Sequence, residues 1–204
     1  MPGSPAADSG SQVSVLARGM AVLRSARLIL DAGCGAGRAT VQLAAGAQVI
    51  AMDRDAQALA LAPRHPNIWY VRADTDRTPI ATDALDAVYS FGLLQVLGVD
   101  GNEDIRRALR EFQRTLRSTG VAVMGTLADF RTHDSPFRSL TGAEVSQVMR
   151  NTFNLRELIG LMDSDAAGIR SRYWYIHAVP ITDPSPRRRP GRPQRARAGA
   201  KRRQ

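Results

Sequence analysis

The chain has 204 residues, 44% of them apolar, which suits one domain with a proper core. Its net charge of +9 sits at one end: residues 183–204 hold nine Arg or Lys against one acid, whereas 1–182 hold 19 Arg against 18 acids. Attraction for a polyanion is thereby confined to the tail; the lone Cys34 excludes an intrachain disulfide or multi-cysteine zinc site, and no apolar run approaches the roughly 20 residues of a membrane helix.

Residues 1–12 are rich in Pro, Gly, Ser and Ala and are expected to be disordered. From Val13 to Ala26, Leu16, Met20 and Leu23 recur at helical spacing. A short apolar strand, Arg27 to Asp31, runs into a glycine-rich turn, and a helix over Arg38–Ala45 follows. The alternation repeats with a strand at Val49–Met52, a helix at Asp55–Ala62 stopped by Pro63, and strands at Ile68–Arg72 and Leu85–Ser90. Asn102 and the acids after it open a helix over Glu103–Leu116, with Ile105, Ala108, Leu109, Phe112 and Leu116 on one face. Val121–Thr126 reads as a fifth strand. Thr141 and Glu144 have capping-box spacing for a helix to Arg150, and strands near 154–162 and 172–180 end the domain. Alternating strands and helices predict a doubly wound α/β domain over residues 13–182, its mostly parallel sheet covered on both faces. Residues 183–204 read as a basic disordered tail.

The strongest local signal is Leu28-Ile29-Leu30-Asp31-Ala32-Gly33-Cys34-Gly35-Ala36-Gly37. Glycines at a strand-to-helix turn let a ligand approach the backbone, and the following helix offers free N–H groups. A dinucleotide fingerprint would need a small residue where Arg38 stands. Asp53 and Asp74 follow the second and third strands, and Asp31 precedes the turn. Carboxylates at successive strand ends would repel a pyrophosphate and suit a ligand rich in hydroxyl and amine donors.

The glycine segment resembles motif I of the class I S-adenosylmethionine-dependent methyltransferases, and four later segments follow that family in order. Asp53 matches its ribose-binding acid, and Ala73-Asp74 the acid that meets the adenine amine. Pro79-Ile80 with Asp83-Ala84-Leu85-Asp86-Ala87-Val88 resembles its approach to strand four. Glu111, Arg114, Leu116, Arg117 and Gly120 resemble its approach to strand five. The resemblance spans 28–180 and implies a Rossmann-like, seven-stranded sheet with an antiparallel last strand. The cofactor it implies is S-adenosyl-L-methionine, bound by Asp31, Gly33, Gly35, Asp53, Arg54, Asp74, Thr75, Ser90 and Phe91. Two departures stand out: Ser118-Thr119 replaces a Pro-Gly pair, and Gln95 stands where many relatives carry His or Glu.

The loop after strand five holds His133, with Asp134 beside it, as the first residue to test for general-base catalysis. Ser90-Phe91-Gly92-Leu93 lacks the Asn/Asp-Pro-Pro-aromatic segment of nucleic-acid amino-methylating relatives, and Cys34 is misplaced for cytosine-C5 chemistry. A small-molecule acceptor is therefore expected. The alternatives are an RNA or protein acceptor guided by the tail, or a cofactor-binding domain without catalysis. Non-specific nucleic-acid contact would run through Arg187 to Arg203, where Gly191-Arg192-Pro193 resembles an AT-hook core. The chain is expected to be soluble, cytoplasmic, without a metal, and a monomer or homodimer.

Overall fold

The computed structural model of the chain describes residues 9–131, 136–164 and 170–182. Seven strands form one sheet: β1 Leu28–Ala32, β2 Gln48–Asp53, β3 Ile68–Arg72, β4 Leu85–Phe91, β5 Leu116–Arg131, β6 Phe153–Ser164 and β7 Arg170–Pro180. Their spatial order is β3-β2-β1-β4-β5-β7-β6. The pairs among β1 to β5 are parallel, and β7 runs antiparallel to both β5 and β6. The expected sheet, antiparallel last strand included, is the observed one. The order reverses between β1 and β4, which places the ligand crevice at the carboxyl ends of those two strands.

Among the described residues six helices flank the sheet: α1 Ser9–Leu23, α2 Arg38–Ala44, α3 Ala56–Ala60, α4 Leu93–Leu97, α5 Glu103–Thr115 and α6 Gly142–Met149. One face buries Val15, Leu16 and Leu23 of α1 and Ala39, Leu43 and Ala44 of α2 against Ile29, Val49, Tyr89, Val123 and Tyr175. The other buries Leu94, Ile105, Leu109, Phe112, Val145 and Met149 of α4, α5 and α6 against Leu30, Met52, Val88, Met124 and Ile176. The five apolar residues predicted for the face of α5 are all buried, although Leu116 already belongs to β5. The capping box is present at Thr141, whose side chain accepts from the Glu144 amide.

Four features differ from the sequence reading. Helix α1 begins at Ser9, inside the stretch 1–12 expected to be disordered, and β5 extends well beyond the expected Val121–Thr126 at both ends. Helix α4 was not foreseen; it starts where Gly92 takes φ +80° and turns the apolar run 85–97 off the sheet. Between β3 and β4 the chain crosses as a loop. Glu111 accepts from the Thr78 amide at 3.0 Å and hydroxyl at 3.1 Å, and Arg114 grips both Glu111 oxygens and the Thr82 hydroxyl. Arg114, with help from Thr78 and against burial, holds the Glu111 carboxyl below its usual range. That clamp substitutes for a crossover helix. It leaves an apolar groove of about 340 Å³ lined by Ile50, Met52, Trp69, Val71 and Ile80.

The start of β1 is fixed in a similar way. Asp86 on β4 accepts from the amides of Arg27 at 2.9 Å and Leu28 at 3.0 Å and pairs with Arg117. Against the opposing effect of burial, these donors hold its carboxyl below the ordinary range. Ser118-Thr119 falls where the β4–β5 register jumps from Leu85↔Leu116 to Ala87↔Val121. The irregularity absorbs the departure in sequence, and the strand continues.

Candidate functional site

β1 delivers the chain into a tight elbow, Gly33 to Gly37, at the crevice. Gly33, Gly35 and Gly37 all have left-handed backbones, with φ of +74°, +53° and +78°. The amides of Gly33 and Cys34 donate to the Met52 carbonyl at 2.8 and 3.1 Å, which fastens the elbow to the end of β2. A Cβ on Gly37 would sit 2.9 Å from the Tyr70 hydroxyl, whereas one on Gly35 would meet nothing within 4 Å. Gly35 is thus the open point of the elbow, where a ligand can reach the main chain.

Asp53 closes the next strand. One oxygen accepts from the Gly35 amide at 2.8 Å, the other from the Asp55 amide at 2.9 Å. It is half-buried, so each oxygen keeps room for a further donor. Asp55 caps the start of α3 by accepting from the amides of Gln57 and Ala58, so the two acids divide the work: Asp55 opens the helix and Asp53 faces the elbow. Arg54 is exposed, and its carbonyl accepts from Arg72 Nε at 3.2 Å. Asp74 is exposed and Thr75 half-buried in the loop after β3, whose Ala73 amide donates to the Asp53 carbonyl at 3.1 Å. The elbow and the ends of β2 and β3 are thereby linked by main-chain bonds.

Asp31 lies deeper. It is 2% exposed and accepts from the Thr40 hydroxyl on α2 at 2.5 Å. Burial above all, opposed by that hydroxyl and reinforced by the Asp53 charge, pushes its carboxyl up to about 7. The Ser90 hydroxyl donates to the Ala32 carbonyl at 2.9 Å, binding β4 to the base of the elbow. Phe91 is buried, its ring 5.4 Å from that of Tyr173. Burial pushes the Cys34 thiol far up, so it stays protonated and chemically quiet.

On the side of β4 and β5, Gln95 proves to be a latch. β4 has already turned into α4, and the Leu127 amide of β5 would face no strand partner there. The Gln95 side-chain oxygen accepts from it at 2.9 Å, and the Gln95 carbonyl accepts from the Arg138 amide at 3.2 Å. The Arg138 guanidinium continues to Gly98, Asn102 and Glu144. Gln95→Leu would strand the buried Leu127 amide and is expected to cost about 1–3 kcal/mol, read as a lower urea midpoint with faster hydrogen exchange at Leu127.

His133 and Asp134 lie outside the described residues, as does the tail 183–204. His177 sits in mid-β7, where burial lowers its pKa, and His65 Nδ1 accepts from the Asn67 amide before β3, away from the crevice. Thr40, Tyr89 and Arg138 were not singled out from the sequence. Each takes its meaning from a partner on another element.

Residues 30–124 match a family model described as a methyltransferase domain. The malonyl-[acyl-carrier protein] O-methyltransferase of Pectobacterium atrosepticum is 37% identical over 103 residues, 50% of this chain and 39% of that protein, so the chain spans well under half its length. An S-adenosylmethionine-dependent methyltransferase from Methanosarcina mazei superposes with a TM-score of 0.67 at 15% identity, covering 78% of this chain and 94% of that one. The structure of a TehB-like S-adenosylmethionine-dependent methyltransferase from Corynebacterium glutamicum superposes with a TM-score of 0.62 at 24% identity, covering 82% of this chain and 88% of that one. Among the described residues no group of His, Cys, Asp and Glu could hold a metal ion, and no helix is long and apolar enough to cross a membrane.

Proposed function

We propose that this chain, whose residues 30–124 match a methyltransferase-domain model, is a class I S-adenosylmethionine-dependent methyltransferase that transfers the cofactor's methyl group to a small-molecule acceptor. The observation that carries the reading is the pairing of an open Gly35 with the Asp53 carboxylate at 2.8 Å, beside Asp74 at the end of the next strand. Such a site offers acceptors to ribose hydroxyls and an adenine amine, and the negative charge of its carboxylates suits a cation.

Asp53 would take the ribose, Asp74 and Thr75 the adenine end, with Arg54, Ser90 and Phe91 lining the pocket. Gly33 and Gly35 would admit the amino-acid end close to the backbone. The cofactor supplies an electrophilic methyl on a positively charged sulfur. The protein's own task is alignment: α4, latched by Gln95 to β5, fixes one wall against which an acceptor can be held in line. A carboxylate acceptor needs no deprotonation; an alcohol or amine would call on His133.

The Pectobacterium relative is named for a malonyl group carried on a protein, which makes an acyl carboxylate the first acceptor class to try. S-Adenosylhomocysteine release with malonyl thioesters, free short-chain diacids and small alcohols tests the proposal. Turnover on one class supports it, and cofactor binding with no turnover on any of them contradicts it. The tail's nine basic residues favour the second reading, an RNA or protein acceptor. Deleting residues 183–204 would abolish turnover under that reading and spare it under the first.

A further inference from the structure

The floor of the elbow carries a second, buried layer of polar groups. Asp31 on β1 is level with Tyr89 on β4, and both face the side covered by α1 and α2. Thr40, fully buried on α2, donates to Asp31. The Tyr89 hydroxyl is buried without a hydrogen-bond partner among the described residues. A charge of this kind inside a protein is normally paired or neutralised.

We propose that Thr40 is a positioning residue that holds Asp31 beneath the elbow, so that entry of a cationic cofactor is coupled to loss of the Asp31 proton. The inference rests on the reading of S-adenosylmethionine as cofactor. With its carboxyl at about 7, Asp31 is protonated in much of the free protein near neutrality. The ionisable groups around it do not offset this. Cys34 on the elbow, Tyr70 on β3 and Tyr89 on β4 are held neutral by burial, assisted in each case by the Asp31 charge. Asp53 on β2 adds negative charge, and Arg38, at the start of α2, is exposed.

A sulfonium and ammonium entering above this floor favour the carboxylate. The Asp31 O–H bond breaks, the electron pair stays on Asp31 and the proton passes to solvent. After methyl transfer the sulfur is neutral, so the carboxylate loses part of its counter-charge and takes a proton back. Asp31 thus distinguishes the cofactor, which carries a sulfonium, from the product, which keeps its ammonium and carboxylate but has a neutral sulfur. In the free protein the linkage has the opposite sense: a raised acid pKa contributes stability below about pH 4 that is lost as pH rises through 7.

Calorimetry with S-adenosylmethionine at pH 7, in phosphate and in Tris, reads the protons released per binding event. Wild type is expected to release about half a proton, with less for S-adenosylhomocysteine and none for Asp31→Asn. Its affinity should rise up to about tenfold per pH unit below 7 and level off above. Thr40→Val, which removes the donor at constant volume, should move that plateau to higher pH, and Thr40→Ser should restore it. Binding by wild type with no proton exchange, or a Thr40→Val profile like that of wild type, would overturn the coupling and leave the cofactor assignment intact. Absence of any binding by wild type would defeat the cofactor assignment itself, and the coupling with it.

Discussion

Asp53→Ala is expected to weaken S-adenosylmethionine binding by about 10- to 100-fold while the protein stays folded. A hydrogen bond to a charged group contributes about 1.5–3 kcal/mol, roughly one to two powers of ten. Asp53 ends β2 at the sheet's carboxyl edge, half-buried, with one oxygen on the Gly35 amide and the other on the Asp55 amide. Truncation removes the acceptor for the ribose and also frees the open point of the elbow. Asp53→Asn separates the two effects, since its single amide oxygen can still hold Gly35 but no longer carries charge. It should therefore fall between wild type and alanine. Calorimetry measures the affinities, and an unchanged circular dichroism spectrum with an undisturbed urea midpoint excludes general unfolding. Equal affinity in wild type and Asp53→Ala would remove Asp53 from the site.

Gly125→Val is expected to be the most damaging single substitution to the fold near the site. A Cβ at Gly125 would lie 2.5 Å from Phe91 Cδ2 and 3.0 Å from Val15 Cγ1. Both neighbours are themselves buried, Phe91 against Tyr173 and Val15 fully inside the α1 face. Neither can retreat into solvent. Overpacking of a tight core costs about 1–3 kcal/mol and more where neighbours cannot move; valine at this position should exceed that range. The displaced Phe91 would also disturb the turn into α4, so any folded fraction should bind cofactor poorly. Gly46→Ala is the matched control, because a Cβ there meets nothing within 4 Å. Urea unfolding of both variants checks the contrast, and a wild-type midpoint for Gly125→Val would refute the packing argument.

The parts of this fold that were legible in the sequence are those written in local patterns. The alternation of strands and helices, the face of α5 and the capping box at Thr141 are set by spacing within one element. The elbow could be placed because positive φ at three alternate residues demands glycines there. Helix α4 was missed because Leu93–Leu97 is one apolar turn joined to an apolar strand, without a polar residue to cap it. The extent of β5 was missed because its first residues, up to Gly120, pair across a register shift that no periodicity reveals.

The site divides along the same line. Asp53 and the glycines announce themselves through position after a strand. Gln95 stood out only as a departure from the family's His or Glu, and its partner, the Leu127 amide, is 32 residues away. Asp31 and Thr40 are nine residues apart on different elements. Only folding reveals that one buried hydroxyl is the sole donor side chain on the acid below the elbow among the described residues. The basic tail, by contrast, is plain in composition, yet its 22 residues lie outside the described structure, and truncation is the route to its role.

The most direct test is a crystal grown with S-adenosylmethionine. The account predicts density over Gly35, the ribose diol within hydrogen-bond reach of Asp53 and the adenine turned toward Asp74. Clear density for the nucleoside in the Trp69 groove, or a pyrophosphate-bearing ligand seated on the elbow instead, would contradict it.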